Sequence, residues 1–447
     1  MKRVSPIICE LAGQTFDDQA FCQGWYSSGA TGAGKTSSFI RNLLFQVFKN
    51  RPNFGALCVD DKGTLHQVIC EMAAHFDRSE DLVLLQTRSN LTPPAWAPTV
   101  HYNLIGDPSI PPTTYARCIV ETATALAGRR EQSFFKNAAQ VHISQAIPLL
   151  QQLNFEVTLS NVLELLTDTE QLRDVLDELE SKDHEPEMLK HFRSFLSLPP
   201  EQLAGTTETI KNYLFPLKTE AVREIFAQDR STFQLSNVDQ GKIILLNIPQ
   251  ELKMERRYVG TFLKQLYFLH ALRRFDLNPK ERGEKNLLLI VADECQHFLT
   301  SSEDGVLSDY NVIDVLREAK VAYIAATQSS TSLIPVLGAD KAKVFLLNLR
   351  NRAIFRSADE EDARMNAEFI GRKPTRKRSF TRGDGRSSET WHSDDDFLIK
   401  PHLLRKLRNH ECILAHADGS VRQRFLPPIE PDGSISTWYR PWWKFWV

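Results

Sequence analysis

Two rhythms of apolar residues run through this chain. The first is a short continuous run, seen from Phe54 to Asp60, Leu82 to Leu85, Gly241 to Ile248, Asn286 to Glu294, Val321 to Ala326 and Ala353 to Phe355. Runs of that length without polar alternation predict strands buried on both faces, as in a parallel sheet. The second rhythm has helical spacing, in Phe39, Ile40, Leu43, Leu44 and Val47 and again in Val259, Phe262, Leu263, Leu266, Leu269 and Leu272. Their alternation predicts an α/β fold, a mostly parallel sheet with helices on both faces. From about Thr113 to Gln228 the helical rhythm stands almost alone, through Ile119, Leu126, Val141, Ile143, Leu150, Val162, Leu166, Leu172 and Val175. That stretch reads as an inserted all-α subdomain, with charge-rich 178–187 a solvated helix end and loop. The expected division is 1–112 as the first part of the sheet domain, 113–235 as the insertion, 236–430 as the second part and 431–447 as an aromatic tail.

Composition narrows the class. The chain has 447 residues, 42% apolar and 25% charged, as in a soluble globular protein of two or three domains. A formal net charge of −2 excludes nucleic-acid binding by bulk charge, so any such contact needs a local patch or a ring-lining surface. The seven cysteines are scattered without a C-x-x-C pair, which points to reduced thiols rather than a disulfide framework or zinc site. No apolar run has the length of a membrane span, and the opening Met-Lys-Arg-Val-Ser-Pro lacks a signal-peptide core. A cytoplasmic protein is expected.

The chemistry begins at Gly29-Ala30-Thr31-Gly32-Ala33-Gly34-Lys35-Thr36, spaced Gly-x-x-x-x-Gly-Lys-Thr between the stretch Phe21–Ser28 and the helical pattern from Phe39. This is the phosphate-binding P-loop. Glycines let successive backbone N–H groups turn toward phosphate oxygens, and the following helix adds its positive end. Residues 29–36 and Ser37 are the expected cradle for ATP. Lys35 would reach the β/γ-phosphates and the Thr36 hydroxyl would ligate Mg²⁺.

Leu287 to Val291, followed by Ala292, Asp293 and Glu294, has the form of a Walker B strand. The apolar run buries the strand and delivers two carboxylates to its C-terminal edge, where ligands bind in α/β sheets. Asp293 would hold the Mg²⁺ shell and Glu294 would orient the attacking water, so hydrolysis and not mere binding is expected. Alone, a strand ending Asp-Glu also fits a structural edge; the P-loop upstream is what makes it functional. Gln328, at the end of Ala325-Ala326-Thr327, either senses the γ-phosphate or the lytic water, or makes a strand-end hydrogen bond.

The order GATGAGKT, DDKG, YNL, FFKNAAQ, ILLNIP, VADE and ATQSSTSL resembles the conjugative type IV coupling ATPases, the TraG/TraD-like branch of the HerA–FtsK class of DNA translocases. The resemblance continues through Asn348–Arg352, Ala363–Gly371 and Phe397–Leu426, and so covers most of the chain from about Trp25. It implies a RecA-like ATPase domain with an all-α insertion, assembled as a hexameric ring that pumps DNA. It also implies an arginine reaching into the neighbour's ATP site from the helix before the Thr-Gln strand, where Arg317 stands. From the residues alone, Arg317 reads equally as a surface arginine paired with Glu318 or Asp314, with Arg350, Arg352 and Arg356 as other candidates.

Further surfaces carry two readings each. The basic stretch Arg372, Lys373, Arg376, Lys377, Arg378, Arg382 and Arg386 would track a phosphate backbone or form a solvated loop balanced by Asp394, Asp395 and Asp396. Lys211, Lys218 and Arg223 are another possible DNA-facing set. The ending Thr437-Trp-Tyr-Arg-Pro-Trp-Trp-Lys-Phe-Trp-Val447 suits docking to a protein partner, peripheral membrane recruitment, or packing on its own domain. His410, Cys412 and His416 have no zinc-site spacing, and ordinary packing is expected. Coupling proteins usually carry an N-terminal membrane anchor, whereas this chain reaches its P-loop at residue 29. Rival expectations are an ATPase of protein secretion or remodelling, and a nucleotide-dependent platform recruiting a nuclease or relaxase.

Overall fold

The computed structural model describes residues 6–127, 133–181, 186–302, 307–383 and 386–439, with side chains from 181 to 186 and from 377 to 392 left aside. Two compact units share the chain: Met1–Pro52 with Ala322–Val447, and Asn53–Val321.

The first unit opens with β1 (Ile7–Leu11) and β2 (Gln14–Asp17), an antiparallel hairpin turned at Ala12-Gly13, both of positive φ. Neither of the two hydrophobic rhythms marks these strands in the sequence. After a short helix at Asp18–Phe21 comes β3 (Trp25–Ser28), buried at every position, and then the Gly-rich loop. The helix beyond it starts as a π-helical turn, Lys35–Ile40, and continues as an α-helix, Arg41–Asn50, with Leu43, Leu44, Val47 and Phe48 inward.

In the second unit β4 (Gly55–Asp60), β5 (Leu82–Gln86), β6 (Ile243–Asn247) and β7 (Leu288–Asp293) pair in parallel in the order β7-β4-β6-β5. β4 and β7 are buried along their whole length, the physical reason their sequences show no alternation. Between β5 and β6 the described residues form seven α-helices, from Pro112–Ala127 to Glu220–Phe226. The helix Lys253–Leu272 joins this layer to the sheet. Its buried Gln265 donates to Thr122 Oγ1 at 2.7 Å, and its Tyr267 hydroxyl to the carbonyl of Gly55 at 3.5 Å.

Returning to the first unit, β8 (Val321–Thr327) and β9 (Asn351–Ile354) flank β3 in parallel. The helix Glu360–Ile370 follows, its Ala363, Ala367 and Ile370 packed with Ile354, Leu404, Leu407 and Ile413. The basic stretch is a two-stranded antiparallel ribbon, β10 (Arg372–Gly383) with β11 (Arg386–Phe397), and not a loop. Its charged residues hide the strand because neither face is apolar. Pairing supplies the order instead: the register runs unbroken from Arg372 opposite Phe397 to Gly383 opposite Arg386, and it sets Lys373 against Asp396, opposite charges that attract across the ladder. The unit closes with β12 (Glu411–Ala415), antiparallel to β9 and to β13 (Val421–Phe425), in the order β13-β12-β9-β3-β8. No disulfide joins the seven cysteines, and six of them are buried. No helix among the described residues is long and apolar enough to cross a membrane.

Candidate functional site

Two constellations carry chemistry, one in each unit. In the first, the parallel register sets Ser28 level with Thr327 of β8 and Ile354 of β9. Gly29, Gln328 and Phe355 therefore each lie one residue past the same sheet edge. Glycine is required by contact at Gly29, where a Cβ would stand 2.6 Å from Cβ of Phe355. At Gly34 the requirement is double: φ is +119°, and a Cβ would meet His410 Nδ1 at 3.0 Å. The loop is tied by Ala30 N–H donating to the Arg356 carbonyl at 2.8 Å and Ala33 N–H to the Ala30 carbonyl at 3.1 Å. Lys35 is buried, and its ammonium donates to the carbonyls of Gly29 at 2.6 Å and Ala30 at 3.3 Å, curling back over the loop. Thr31 and Gly32 are exposed at the loop's crest, and Thr36 and Ser37 are half-buried at the helix start.

Sequence reasoning gave His410 no role, yet it braces this loop. Its backbone N–H donates to the Ala33 carbonyl at 2.8 Å, and its Nδ1 lies 2.7 Å from the Ser38 hydroxyl. Burial lowers its pKa below the ordinary histidine value, so the ring is neutral at pH 7 and adds no charge beside the loop. A buried polar set stands behind the sheet edge. Asn366 Nδ2 donates to Ser28 Oγ at 3.3 Å, Ser330 N–H to Asp362 Oδ1 at 2.8 Å, and the Tyr26 hydroxyl to Ser330 Oγ at 3.2 Å. These bonds hold the turn on which Gln328 stands exposed. Arg352 is part of the core. It donates to the carbonyls of Leu346 at 2.5 Å and Leu349 at 3.3 Å and lies over the Phe369 ring, and burial lowers its pKa to about 9.

In the second unit, parallel pairing sets Asp60 at the end of β4 beside Asp293 at the end of β7. Asp293 and Glu294 are 2% and 3% exposed, so both carboxylates are withdrawn from bulk water. Glu294 takes a left-handed backbone (φ 53°, ψ 51°), rare for a residue with a side chain and a common mark of functional sites. Its Oε1 pairs with Lys62 Nζ at 3.2 Å, and its Oε2 accepts from Gln296 Nε2 at 3.0 Å. Burial pulls the Lys62 ammonium down, but Asp293, Glu294 and Asp60 outweigh it and hold its pKa above the ordinary lysine value.

Asp60 shapes the turn below, accepting from the backbone N–H of Lys62, Thr64 and Leu65 at 2.8, 2.7 and 2.9 Å. Asp61 is tied to Arg257 at 2.6 Å and Lys253 at 2.9 Å. Burial raises its pKa, and those cations with His297 reverse the shift to a net lowering. The signal for these residues was the Asp60-Asp61-Lys62-Gly63 turn, present in the sequence but without an assigned chemistry.

The loop after Glu294 is anchored from behind. Lys264 and Asp309 form a wholly buried ion pair; the ammonium also donates to the Phe298 carbonyl at 2.5 Å, and Asp309 accepts from Thr300 N–H at 2.8 Å. Arg317 does not stand on a helix: the α-helix there is limited to Asp309–Val312, and turns fill 313–320. Short i→i+3 bonds, such as Lys320 N–H to the Arg317 carbonyl at 3.1 Å, replace helical ones. Arg317 is exposed, 4.0 Å from Glu318.

Glycines in special conformations, a buried lysine and a half-buried hydroxyl suit nucleotide phosphates, and two buried carboxylates suit Mg²⁺, a hard cation that takes oxygen donors. Residues 288–409 match the family described as the TraM recognition site of TraD and TraG. The fold is similar to that of the bacterial conjugative coupling protein TrwBdeltaN70, with a TM-score of 0.69 and 13% identity over 97% of this chain and 91% of that one. The plasmid coupling protein TrwB in complex with ADP and Mg²⁺ gives 0.67 and 13% over 98% and 91%. VirB4 of Thermoanaerobacter pseudethanolicus gives 0.54 and 11% over 97% and 98%. No curated protein matches by sequence. At these identities the structural likeness establishes the fold, the RecA-like P-loop ATPase fold expected from the sequence.

Proposed function

From a chain that is TraG/TraD-like, in fold throughout and in sequence over residues 288–409, we propose an oligomeric, Mg²⁺-dependent ATPase that moves DNA. The observation that carries the ATPase reading is the buried pair Asp293-Glu294 at a strand end, in a chain whose P-loop glycines and buried Lys35 meet the demands of phosphate binding. The solved coupling protein in complex with ADP and Mg²⁺ supports it.

In this reading the loop 29–37 binds the phosphates through its backbone N–H groups, and Lys35 offsets charge on the β- and γ-groups. Thr36 and Asp293 are assigned to the metal. Mg²⁺, when bound, supplies positive charge to the phosphate oxygens. Glu294 positions the attacking water and takes its proton, with Lys62 and Gln296 fixing the direction of the carboxylate. Gln328 senses the γ-phosphate, and Arg317, exposed on its turn, acts on a neighbouring subunit's nucleotide in a hexameric ring. The domain scheme proposed is 1–112 and 236–430 as the motor, 113–235 as the helical insertion and 431–447 as an aromatic tail. A cytoplasmic site of action fits this scheme.

DNA is the proposed cargo, with the basic residues of the β10–β11 ribbon as a backbone contact. The side chains of Lys377, Arg378, Arg382 and Arg386 lie outside the described ones. The test is ATP turnover with no DNA, single-stranded DNA and double-stranded DNA, beside Lys35→Ala. Stimulation by either DNA, lost in the variant, is the expected result. Turnover indifferent to both forms of DNA overturns the translocase reading in favour of a protein client.

A further inference from the structure

The chain after β13 runs back along the P-loop helix. Leu426 N–H donates to the His410 carbonyl at 2.8 Å, Ile429 N–H to the Ser37 carbonyl at 3.2 Å, and Asn42 Nδ2 to the Pro427 carbonyl at 3.3 Å. Arg41 adds a bond to the Ile429 carbonyl at 3.2 Å and an ion pair with Glu430 at 3.7 Å. A turn at Gly433, where any Cβ would fall 2.2 Å from the Phe45 ring, then reverses the chain. Ser436 N–H donates to the Pro428 carbonyl at 2.9 Å, and the reversal brings Trp438 and Tyr439 onto His410. Their ring centroids are 5.5 and 5.3 Å from that imidazole, and the two rings meet edge to face. His410 in turn touches the loop through Ala33 and Ser38.

Trp438 is nevertheless 60% exposed. A large ring at the end of a segment held by so many bonds, one imidazole away from a phosphate loop and with much of its surface toward water, is the arrangement a nucleotide base needs for stacking. We infer that Trp438, oriented by Tyr439 and His410, is the platform for the base of the nucleotide whose phosphates occupy the P-loop. The inference rests on the nucleotide-binding reading above. A stacking face tolerates any base, since each has a π surface, so the site takes nucleoside triphosphates with little choice of base.

Calorimetric titration of the full chain with ATP and with inorganic tripolyphosphate, both with Mg²⁺, separates base from phosphate. Trp438→Ala is expected to weaken ATP binding about tenfold, the order of one lost stacking contact, and to leave tripolyphosphate unchanged. Trp438→Phe is expected to recover most of the loss. Unchanged ATP affinity in Trp438→Ala overturns the inference, as does an equal loss for tripolyphosphate, which would make the ring a support of the loop alone. A wild-type chain that binds neither ligand overturns the nucleotide reading itself.

Discussion

Replacing Lys62 with Met isolates the most consequential ion pair of the acidic constellation. The Glu294 side chain is 4% exposed and Lys62 46%, so the pair is half in water. Breaking a fully buried pair costs about 3–5 kcal/mol, while exposed pairs contribute about 0–1. The intermediate exposure places Lys62→Met at about 1–3 kcal/mol. Gln296 softens the loss by keeping one carboxylate oxygen bonded, and the nearby Asp60 and Asp293 aggravate it by repulsion. In a unit of this size each kcal/mol lowers the melting temperature by about 2–4 °C.

The sign with pH follows from the raised pKa of Lys62. Its contribution is complete below the ordinary lysine value of 10.5 and fades only as pH rises through the higher folded value. The gap between wild type and variant is therefore expected to stay constant from pH 6 to 9, a range chosen to lie wholly below 10.5. A double-mutant cycle with Glu294→Gln, read by thermal denaturation, assigns the loss to the pair. Adding Glu294→Gln to Lys62→Met is expected to restore part of the stability, with a coupling above about 0.5 kcal/mol. A coupling of zero, or a gap that opens between pH 6 and 9, would refute the assignment.

Glu294→Gln keeps the shape of the site and removes the base, so ATP turnover is expected to fall by at least about 100-fold with ATP affinity retained; undiminished turnover removes Glu294 from that role. Asp309→Asn leaves the Lys264 ammonium without its counter-ion in a site 0% exposed, and a loss of about 3–5 kcal/mol is expected, recovered in large part by Lys264→Met on the same chain. Asp61, its pKa lowered by Arg257 and Lys253, contributes stability that is whole above the ordinary 3.8 and lost as pH falls through the lower folded value. Asp61→Asn is thus expected to lower stability at neutral pH and flatten the acid limb of unfolding against pH. Gly34→Ala brings a Cβ to within 3.0 Å of His410 at a φ of +119°, and phosphate binding is expected to fail; full affinity would show that the loop shifts freely.

The sequence by itself determined the elements whose chemistry is local. The P-loop is legible because its conformation demands glycine at set positions, as the contacts at Gly29 and Gly34 show. The strands ending at Asp60 and Asp293 are legible because burial on both faces leaves an uninterrupted apolar run. Tertiary structure alone decided which of these residues meet. Lys62 finds Glu294 because β4 and β7 pair with Asp60 level with Asp293, a register no local pattern encodes. His410 reaches Ser38 across 372 residues, and its left-handed backbone left no trace in composition.

The ribbon Arg372–Phe397 and the edge strand Val421–Phe425 escaped because their residues are largely polar, and cross-strand pairing orders them where an apolar face does not. The helix expected around Arg317 is replaced by turns, where i→i+3 bonds stand in place of helical ones beyond Val312. Local propensity acts over a few residues, whereas register, burial and charge pairing are properties of surfaces that exist only once distant segments are packed.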